Sequence, residues 1–304
     1  MTNIINTYDL CKQYAHKLVI DKVNMHIPEH AIYGFVGENG SGKTTIMRLI
    51  TGLAEPTSGS FDLFGANNKD NAIYEARRKI SAIVETTSLV PTFTALENLT
   101  FAAMYMGIEV SEEEKIALLK KVHLENTGKK KVKNFSLGMR QRLGIALALL
   151  NKPKLMLLDE PMNGLDPEGI AELRDLLIEL NQKDGISVLI SSHILSELEK
   201  IATHYGFISQ GKLVEEISAK DLQDKCRKSL TLKVDDLSKA EQILKDNNYQ
   251  NYKLSSNGEI RVFDYSNIND VTNLFIQNHI MMLSINSNDE SVEDYYLNLI
   301  KEGK

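Results

Sequence analysis

The sequence predicts an α/β protein built on a mostly parallel sheet with a phosphate-binding loop, followed by a small α+β unit. Three observations predict it. The glycine-rich stretch GENGSGKTT (37–45) lies between an apolar run and a helical pattern. Three further apolar runs alternate with helical pattern, as in a sheet covered on both faces. After about residue 220 the composition shifts towards Asn, Lys and Asp, and the order becomes β-α-β-β-α-β.

AIYGFV (31–36) is a short continuous apolar run of the kind a buried parallel strand shows. The loop that follows fits GxxxxGK[ST], with Gly37, Gly42, Lys43 and Thr44 in the fixed places. Ile46, Leu49, Ile50 and Leu53 recur at i, i+3, i+4 and i+7, which predicts one buried face of the next helix. Between strand and helix, backbone N–H groups converge on an anion, the helix N-terminus adds partial positive charge and glycine permits close approach. Lys43 is expected to neutralise the β- and γ-phosphates and the Thr44 hydroxyl to bind Mg²⁺, with Asn39, Gly40, Ser41 and Thr45 completing the nucleotide cradle. A purely structural turn has no need of lysine followed by threonine.

ISAIV (80–84), LMLLD (155–159) and ISVLIS (186–191) are the further strands. Ligand chemistry in such sheets gathers at the carboxyl ends of the strands. Asp159 and Glu160 stand where LMLL stops. They are either surface acids or, beside a phosphate loop, a pair in which Asp159 holds Mg²⁺ and Glu160 orients or deprotonates the attacking water. His193, after the next strand, is either structural or a γ-phosphate contact.

The bulk numbers remove several classes. The chain has 304 residues, 42% hydrophobic and 25% charged, enough for a large domain plus a smaller one. Runs such as IALALL (145–150) are far short of the ~18 apolar residues that suggest a membrane span. MTNIINTYDL lacks the basic start and apolar core of a signal peptide, so a cytoplasmic location is expected. Cys11 and Cys226 lack metal-ligand spacing and read as reduced thiols. A net charge of −6 argues against nucleic acid as the main partner, and KKKVK (129–133), without interleaved aromatics, reads as a solvated loop.

With these motifs in order, residues 1 to 220 resemble the ATP-binding subunit of an ABC transporter. NFSLGMRQRLGIALALL (134–150) is similar to the family's signature motif and its helix, shortly before the acidic strand, and MNGLDP (162–167) to its D-loop. The resemblance implies a P-loop ABC ATPase fold with antiparallel β and helical subdomains, with ATP and Mg²⁺ as cofactors. It also implies an ATP-sandwich dimer of two copies and an integral-membrane permease that keeps the chain at the inner face of the membrane. Ser136 and Gly138 would then cap the γ-phosphate bound by the other copy, and Asp166 would act at that interface. Ser136, and Asp166 followed by Pro167, also read as ordinary helix N-caps. Tyr14 matches the aromatic that stacks on adenine, a face any purine can use, so GTP stays open; Tyr8 is the alternative if the register slips.

Two positions depart from the family pattern. FSLGM carries Leu137 and Met139 where the family has glycine and glutamine, which leaves the ribose-side contact open. VETTSLVP carries Glu85 where the family has a glutamine that touches the metal site and the permease, so the resemblance implies Glu85 beside the nucleotide and as a Mg²⁺ ligand with Thr44 and Asp159, with both charge and coupling changed. Glutamate there resembles the subgroup that exports bacitracin and lantibiotic peptides.

A helical subdomain is expected at about 92–150, helical through 97–135, with a capping box at Ser111 and Glu114. TFTALENLTFAAMYM (92–106) offers either core or a permease-facing surface, with Phe101 and Met104 expected in the core. From 221 to 304, SLTLKV (229–234) alternates as a strand, LSKAEQILK (237–245) is a helix, and NYKLSSNGEIRVFD (251–264) is a hairpin around Asn257 and Gly258. INDVTNLFIQNH (267–278), IMMLSI (280–285) and SVEDYYLNLIKE (291–302) complete a ferredoxin-like domain, either a regulatory or dimer-supporting module or an inert extension. Two functions follow: the ATPase subunit of an exporter, or an ABC-type ATPase acting on ribosome or DNA without a permease. The second class commonly carries two ATPase units or a long coiled-coil insertion, and this chain has neither.

Overall fold

The computed structural model describes residues 2–85, 88–255, 258–263, 265, 267–288 and 291–302. The chain forms two compact units, Met1–Ala219 and Lys220–Lys304.

The first unit opens with β1 (Asn3–Tyr14), β2 (Lys17–Val23) and β3 (His26–Pro28), then β4 (Ile32–Val36) and α1 (Lys43–Thr51). β5 (Ser58–Leu63), β6 (Ala66–Asn67), α2 (Ala72–Arg77) and β7 (Ile80–Ile83) follow. A helical segment comes next, α3 (Ala95–Met106), α4 (Glu112–Lys121) and α5 (Leu137–Leu149). The unit closes with β8 (Leu155–Asp159), α6 (Pro167–Gln182), β9 (Ser187–Ser192), α7 (Leu195–Leu198), β10 (His204–Ser209) and β11 (Lys212–Ser218).

Six strands form one sheet in the order β11-β10-β4-β9-β8-β7, all parallel except β11. Every residue of β4 is buried, as are Leu155 to Leu158, because both faces of a parallel sheet are covered. A second, antiparallel sheet runs β2-β1-β5-β6, with β3 also pairing to β1. The two sheets and α1 share one core, in which Leu10, Met25, Phe35, Ile46, Phe61 and Leu157 are fully enclosed. Truncating Ile46 there would cost about 2–5 kcal/mol.

Ile46, Leu49 and Ile50 lie on the buried face of α1, but Leu53 does not. The helix ends at Thr51 against left-handed Gly52, and Leu53 beyond that cap is 71% exposed. Nor is 97–135 continuously helical: left-handed Gly107 stops α3, and only short 3₁₀ turns follow α4. Two capping boxes start the helices, Thr94 with Glu97 and Ser111 with Glu114.

Phe101 and Met104 are not core residues. The buried face of α3 is Ala95, Asn98, Leu99, Ala102 and Ala103, a stripe at helical spacing. Phe101 and Met104 fall on the opposite side, 51% and 76% exposed, with Phe101 edge-on to Phe93 at 6.0 Å.

The second unit runs α8 (Ala219–Cys226), β12 (Ser229–Val234), α9 (Leu237–Asp246), β13 (Tyr252–Ser255), β14 (Glu259–Phe263), α10 (Ile268–Gln277), β15 (Met282–Asn288) and α11 (Val292–Glu302). Its sheet is β13-β14-β12-β15 with antiparallel neighbours. β13 and β14 form the expected hairpin; Gly258 has φ 83°, while Asn257 lies outside the described residues. The last strand starts at Met282 rather than at 280. Left-handed His279, and a bond from the Ile280 N–H to the Phe275 carbonyl, tie Ile280 to the end of α10 instead. Leu230, Leu232, Ile260, Val262, Val271 and Phe275 form a separate core. No described helix is long and apolar enough to cross a membrane.

Candidate functional site

Because β4, β9, β8 and β7 are adjacent and parallel, their carboxyl ends open at the same edge of the sheet. The glycine loop leaves β4, Asp159 ends β8, Ser191 and Ser192 end β9, and Glu85 follows β7. Four segments far apart in sequence thus meet by strand order alone.

The loop needs its glycines. A Cβ at Gly37 would come within 2.5 Å of the Ile208 carbonyl and of Ser41 Oγ, and Gly42 starts α1 at φ 114°. The N–H groups of the first turn of α1 have no acceptor within the helix, so they and its dipole face an incoming anion. Lys43, 5% exposed, donates from Nζ to the carbonyls of Gly37 (2.6 Å) and Glu38 (3.2 Å) and lies 3.4 Å from Glu160 Oε1.

The acids form a connected network. Thr44 Oγ1 donates to Asp159 Oδ2 at 2.7 Å. Ser191 Oγ donates to Asp159 Oδ1 at 2.6 Å and accepts from the Glu160 N–H at 2.8 Å. His193 Nδ1 lies 2.7 Å from Glu160 Oε2. Glu160 sits in left-handed backbone, φ 48°, and its Oε1, like Ser41 Oγ, is buried without a hydrogen-bond partner. A buried acceptor and hydroxyl in that state point to a ligand they would serve. The Thr44 hydroxyl and Asp159 carboxylate are hard oxygen donors, the small set that Mg²⁺ takes beside nucleotide phosphates and water. The donor chemistry fits the metal.

Ser136 caps α5, its Oγ accepting from the Met139 N–H at 3.2 Å, and Asp166 caps α6, accepting from the Gly169 N–H at 3.0 Å. Gly138, on the first turn of α5, has open space: an added Cβ would meet nothing nearer than Leu165 at 3.8 Å. Tyr14 is 42% exposed where β1 turns into β2, with Lys12 Nζ 4.9 Å from its ring centre. Ile20 of that strand touches the Cβ position of Gly42, so this hairpin borders the loop. Tyr8 lies mid-strand opposite Ser60 and donates to Asp62, a bond to a carboxylate that raises its phenol pKa. Glu85, at φ 70°, is ion-paired with Arg48.

Two residues of the site escape sequence reasoning. Ser191 reads only as the polar end of a buried strand; its bonds to Asp159 and Glu160 depend on β8 and β9 being neighbours. Arg48 reads as an exposed helix residue, and only the fold brings it to Glu85.

A glycine cradle with buried Lys43 followed by Thr44, beside an Asp-Glu pair at the next strand end but one, defines a P-loop nucleoside-triphosphatase. Comparison with known proteins is more specific. Residues 20–163 match the ABC transporter family profile. The chain is 42% identical over 305 residues to the bacitracin transport ATP-binding protein BcrA of Bacillus licheniformis, spanning 100% of this chain and 99% of that protein. It is 45% identical over 213 residues to the lantibiotic transport ATP-binding protein SrtF of Streptococcus pyogenes, 70% of this chain and 90% of that one. A dimeric ATP-binding cassette solved in a post-hydrolysis state with ADP and Pi superposes with TM-score 0.62 at 28% identity, over 71% of this chain and 98% of that one. The chain belongs to the ABC transporter family. It is an ATP-binding, ATP-hydrolysing subunit related to the bacitracin and lantibiotic transport proteins.

Proposed function

We propose that this chain drives export of antimicrobial peptides of the bacitracin type, as an ATP-sandwich dimer docked to an integral-membrane permease. It would then confer resistance from the cytoplasmic face of the membrane. The observation that carries the catalytic part is the network Thr44–Asp159–Ser191–Glu160–His193 beside buried Lys43.

In this reading the nucleotide's phosphates replace the loop carbonyls as partners of Lys43, and the N–H groups of the 37–45 loop cradle them. Asn39, Gly40, Ser41 and Thr45 belong to that cradle, and the Tyr14 ring stacks on the purine. Thr44 and Asp159 would hold Mg²⁺, which would neutralise phosphate charge, while the Glu85 carboxylate is engaged by Arg48. Glu160 takes the water's proton as it attacks, and His193, bonded to the other carboxylate oxygen, keeps Glu160 aimed and faces the γ-phosphate. Ser191 fixes both acids. Ser136 and Gly138 complete the site of the opposite copy, with Asp166 at the same interface. Gly138 fits this: among the described residues an added Cβ would meet only Leu165 at 3.8 Å and Gly169 at 3.9 Å, so the start of α5 leaves room for a group to approach.

The permease is expected at a cleft of about 500 Å³ lined by Ile83, Leu89, Met106, Leu147 and Ala148, just past Glu85. The exposed Phe101, Met104 and Tyr105 of α3 add apolar surface in this subdomain. We assign residues 1–220 as the nucleotide-binding domain, its helical subdomain at about 92–150, and 221–304 as an accessory domain. The spatial order β15-β12-β14-β13 supports a ferredoxin-like reading of the latter. The match to BcrA includes this domain, whereas the match to SrtF covers 70% of the chain.

The test is survival of cells on bacitracin and on a lantibiotic, with wild-type chain or Lys43→Ala. Bacitracin resistance that depends on Lys43 is expected. Resistance indifferent to Lys43, or confined to the lantibiotic, would reject the substrate assignment. ATP should also convert Glu160→Gln protein from monomer to dimer in sedimentation, and an added Ser136→Arg should block it; equal mass with and without ATP would reject the sandwich.

A further inference from the structure

Lys43 and Thr44 stand at the start of α1, and Arg48 stands one turn further on, about 6 Å along the helix axis. Arg48 Nη2 is ion-paired with Glu85 Oε1. Glu85 itself is held at φ 70°, a left-handed conformation uncommon for glutamate and frequent at functional sites. One helix therefore presents a cation to the phosphates and, a turn later, a second cation to the loop after β7.

We propose that Arg48 is a positioning residue that holds the Glu85 carboxylate away from the metal and phosphate site and ties the loop after β7 to the nucleotide-binding helix. This rests on the placement of Mg²⁺ at Thr44 and Asp159 proposed above. The site already carries Asp159 and Glu160, and ATP brings several more negative charges. A third free carboxylate at the rim would repel the nucleotide unless a cation neutralised it. Lys43 is not that cation: its ammonium faces the Gly37 and Glu38 carbonyls and Glu160. His193 faces Glu160. Arg48 remains, always charged and with a fork suited to a carboxylate.

The exposure of the pair fits a link that opens and closes. Arg48 and Glu85 are 38% and 58% exposed, so solvent screens their attraction and folding stability owes the pair little. Ser88 and Leu89, three and four residues on from Glu85 in the sequence, line the cleft of about 500 Å³ with Ile83, Met106 and Leu147.

The experiment is equilibrium binding of a fluorescent ATP analogue to the purified full chain, with and without Mg²⁺. In Arg48→Gln the freed carboxylate should weaken metal-free binding, while Mg²⁺ offsets it, so the ratio of metal-free to metal-bound Kd should rise at least five-fold. Arg48→Lys should stay within two-fold of wild type, and Arg48→Gln with Glu85→Gln should return there. A ratio unmoved by Arg48→Gln, or a rise that persists in the double variant, would overturn the proposal. Asp159→Asn should abolish most of the Mg²⁺ effect; if it does not, the metal placement is wrong and the proposal falls with it, by an outcome distinct from failure of the ion pair.

Discussion

In the six-stranded sheet five neighbouring strands run parallel, so loops after β4, β7, β8 and β9 all emerge at one edge. In the four-stranded sheet of Lys220–Lys304 every neighbour is antiparallel, so successive strand ends alternate between edges. The first arrangement brings Lys43, Asp159, Ser191 and His193 together from segments up to about 150 residues apart. In the second, described acids make mostly local contacts, Glu241 with Lys245 and Tyr252 and Asp294 with Ser291, and Asp235 reaches further only to accept from the backbone N–H of Met281. Strand direction decides where distant polar groups can accumulate. One sheet concentrates chemistry at an edge, and the other offers a packed platform.

The largest expected effect tests whether the two units stand on separate cores. Phe275 is fully buried in the second core, and Phe275→Ala should remove about 3–5 kcal/mol from that unit. ATP binding by the first unit should persist while the variant shows an earlier, separate unfolding step in calorimetry. A single transition, shifted as a whole, would break the comparison. Next, Lys43→Ala should weaken ATP binding, whereas Glu160→Gln should keep it and slow turnover about 10²-fold or more. Hydrolysis at the wild-type rate by Glu160→Gln would remove Glu160 as the base.

Much of the contrast is legible in the sequence, for a physical reason. Strands buried on both faces, such as 155–159, appear as unbroken apolar runs, and β12 alternates because one face packs on helices. The expected loop, acids and histidine do meet at one edge. What sequence could not decide was orientation. ALENLTFAAMYM is apolar on both sides of its helix, so periodicity alone did not tell that Ala102 and Ala103 face inward and Phe101 and Met104 outward. Ile208 of β10 crowds the Cβ positions of Gly37 and Gly42, a contact that only the pairing of β10 with β4 supplies. Ser191 and Arg48 gain their roles only from neighbours supplied by strand order and helix packing.

Ser191 gives a smaller and sharper test. Its hydroxyl donates to Asp159 and accepts from the Glu160 N–H, so Ser191→Ala leaves one buried N–H and one carboxylate oxygen without that partner. The loss of such a bond costs about 1–3 kcal/mol. Turnover should fall about ten-fold with both acids still present, and Ser191→Thr, which keeps the hydroxyl, should recover most of it. Equal rates for Ser191→Ala and wild type would show that strand β8 alone aims the acids.

The smallest effect concerns pH and belongs to the helical segment inserted between β7 and β8. Glu97 and Glu114 are both held below their ordinary pKa of 4.5, first by the backbone N–H groups of Thr94 and Ser111 in the capping boxes, then by Lys131 and Lys152. A carboxylate whose pKa is depressed on folding contributes stability that is fully present above its unfolded pKa and is lost as pH falls through its folded one. The support for α3 and α4 should therefore be intact near pH 7 and decline below about 4.5. Both groups are on the surface, so salt should weaken only the lysine part, because a hydrogen bond to an adjacent N–H is not a long-range attraction. The measurement is thermal melting followed by circular dichroism between about pH 3 and 7, on wild type and on Glu97→Gln with Glu114→Gln. The double variant should melt earlier at neutral pH and show a flatter acid limb. A limb as steep as wild type would assign the acid sensitivity to groups outside these two capping boxes.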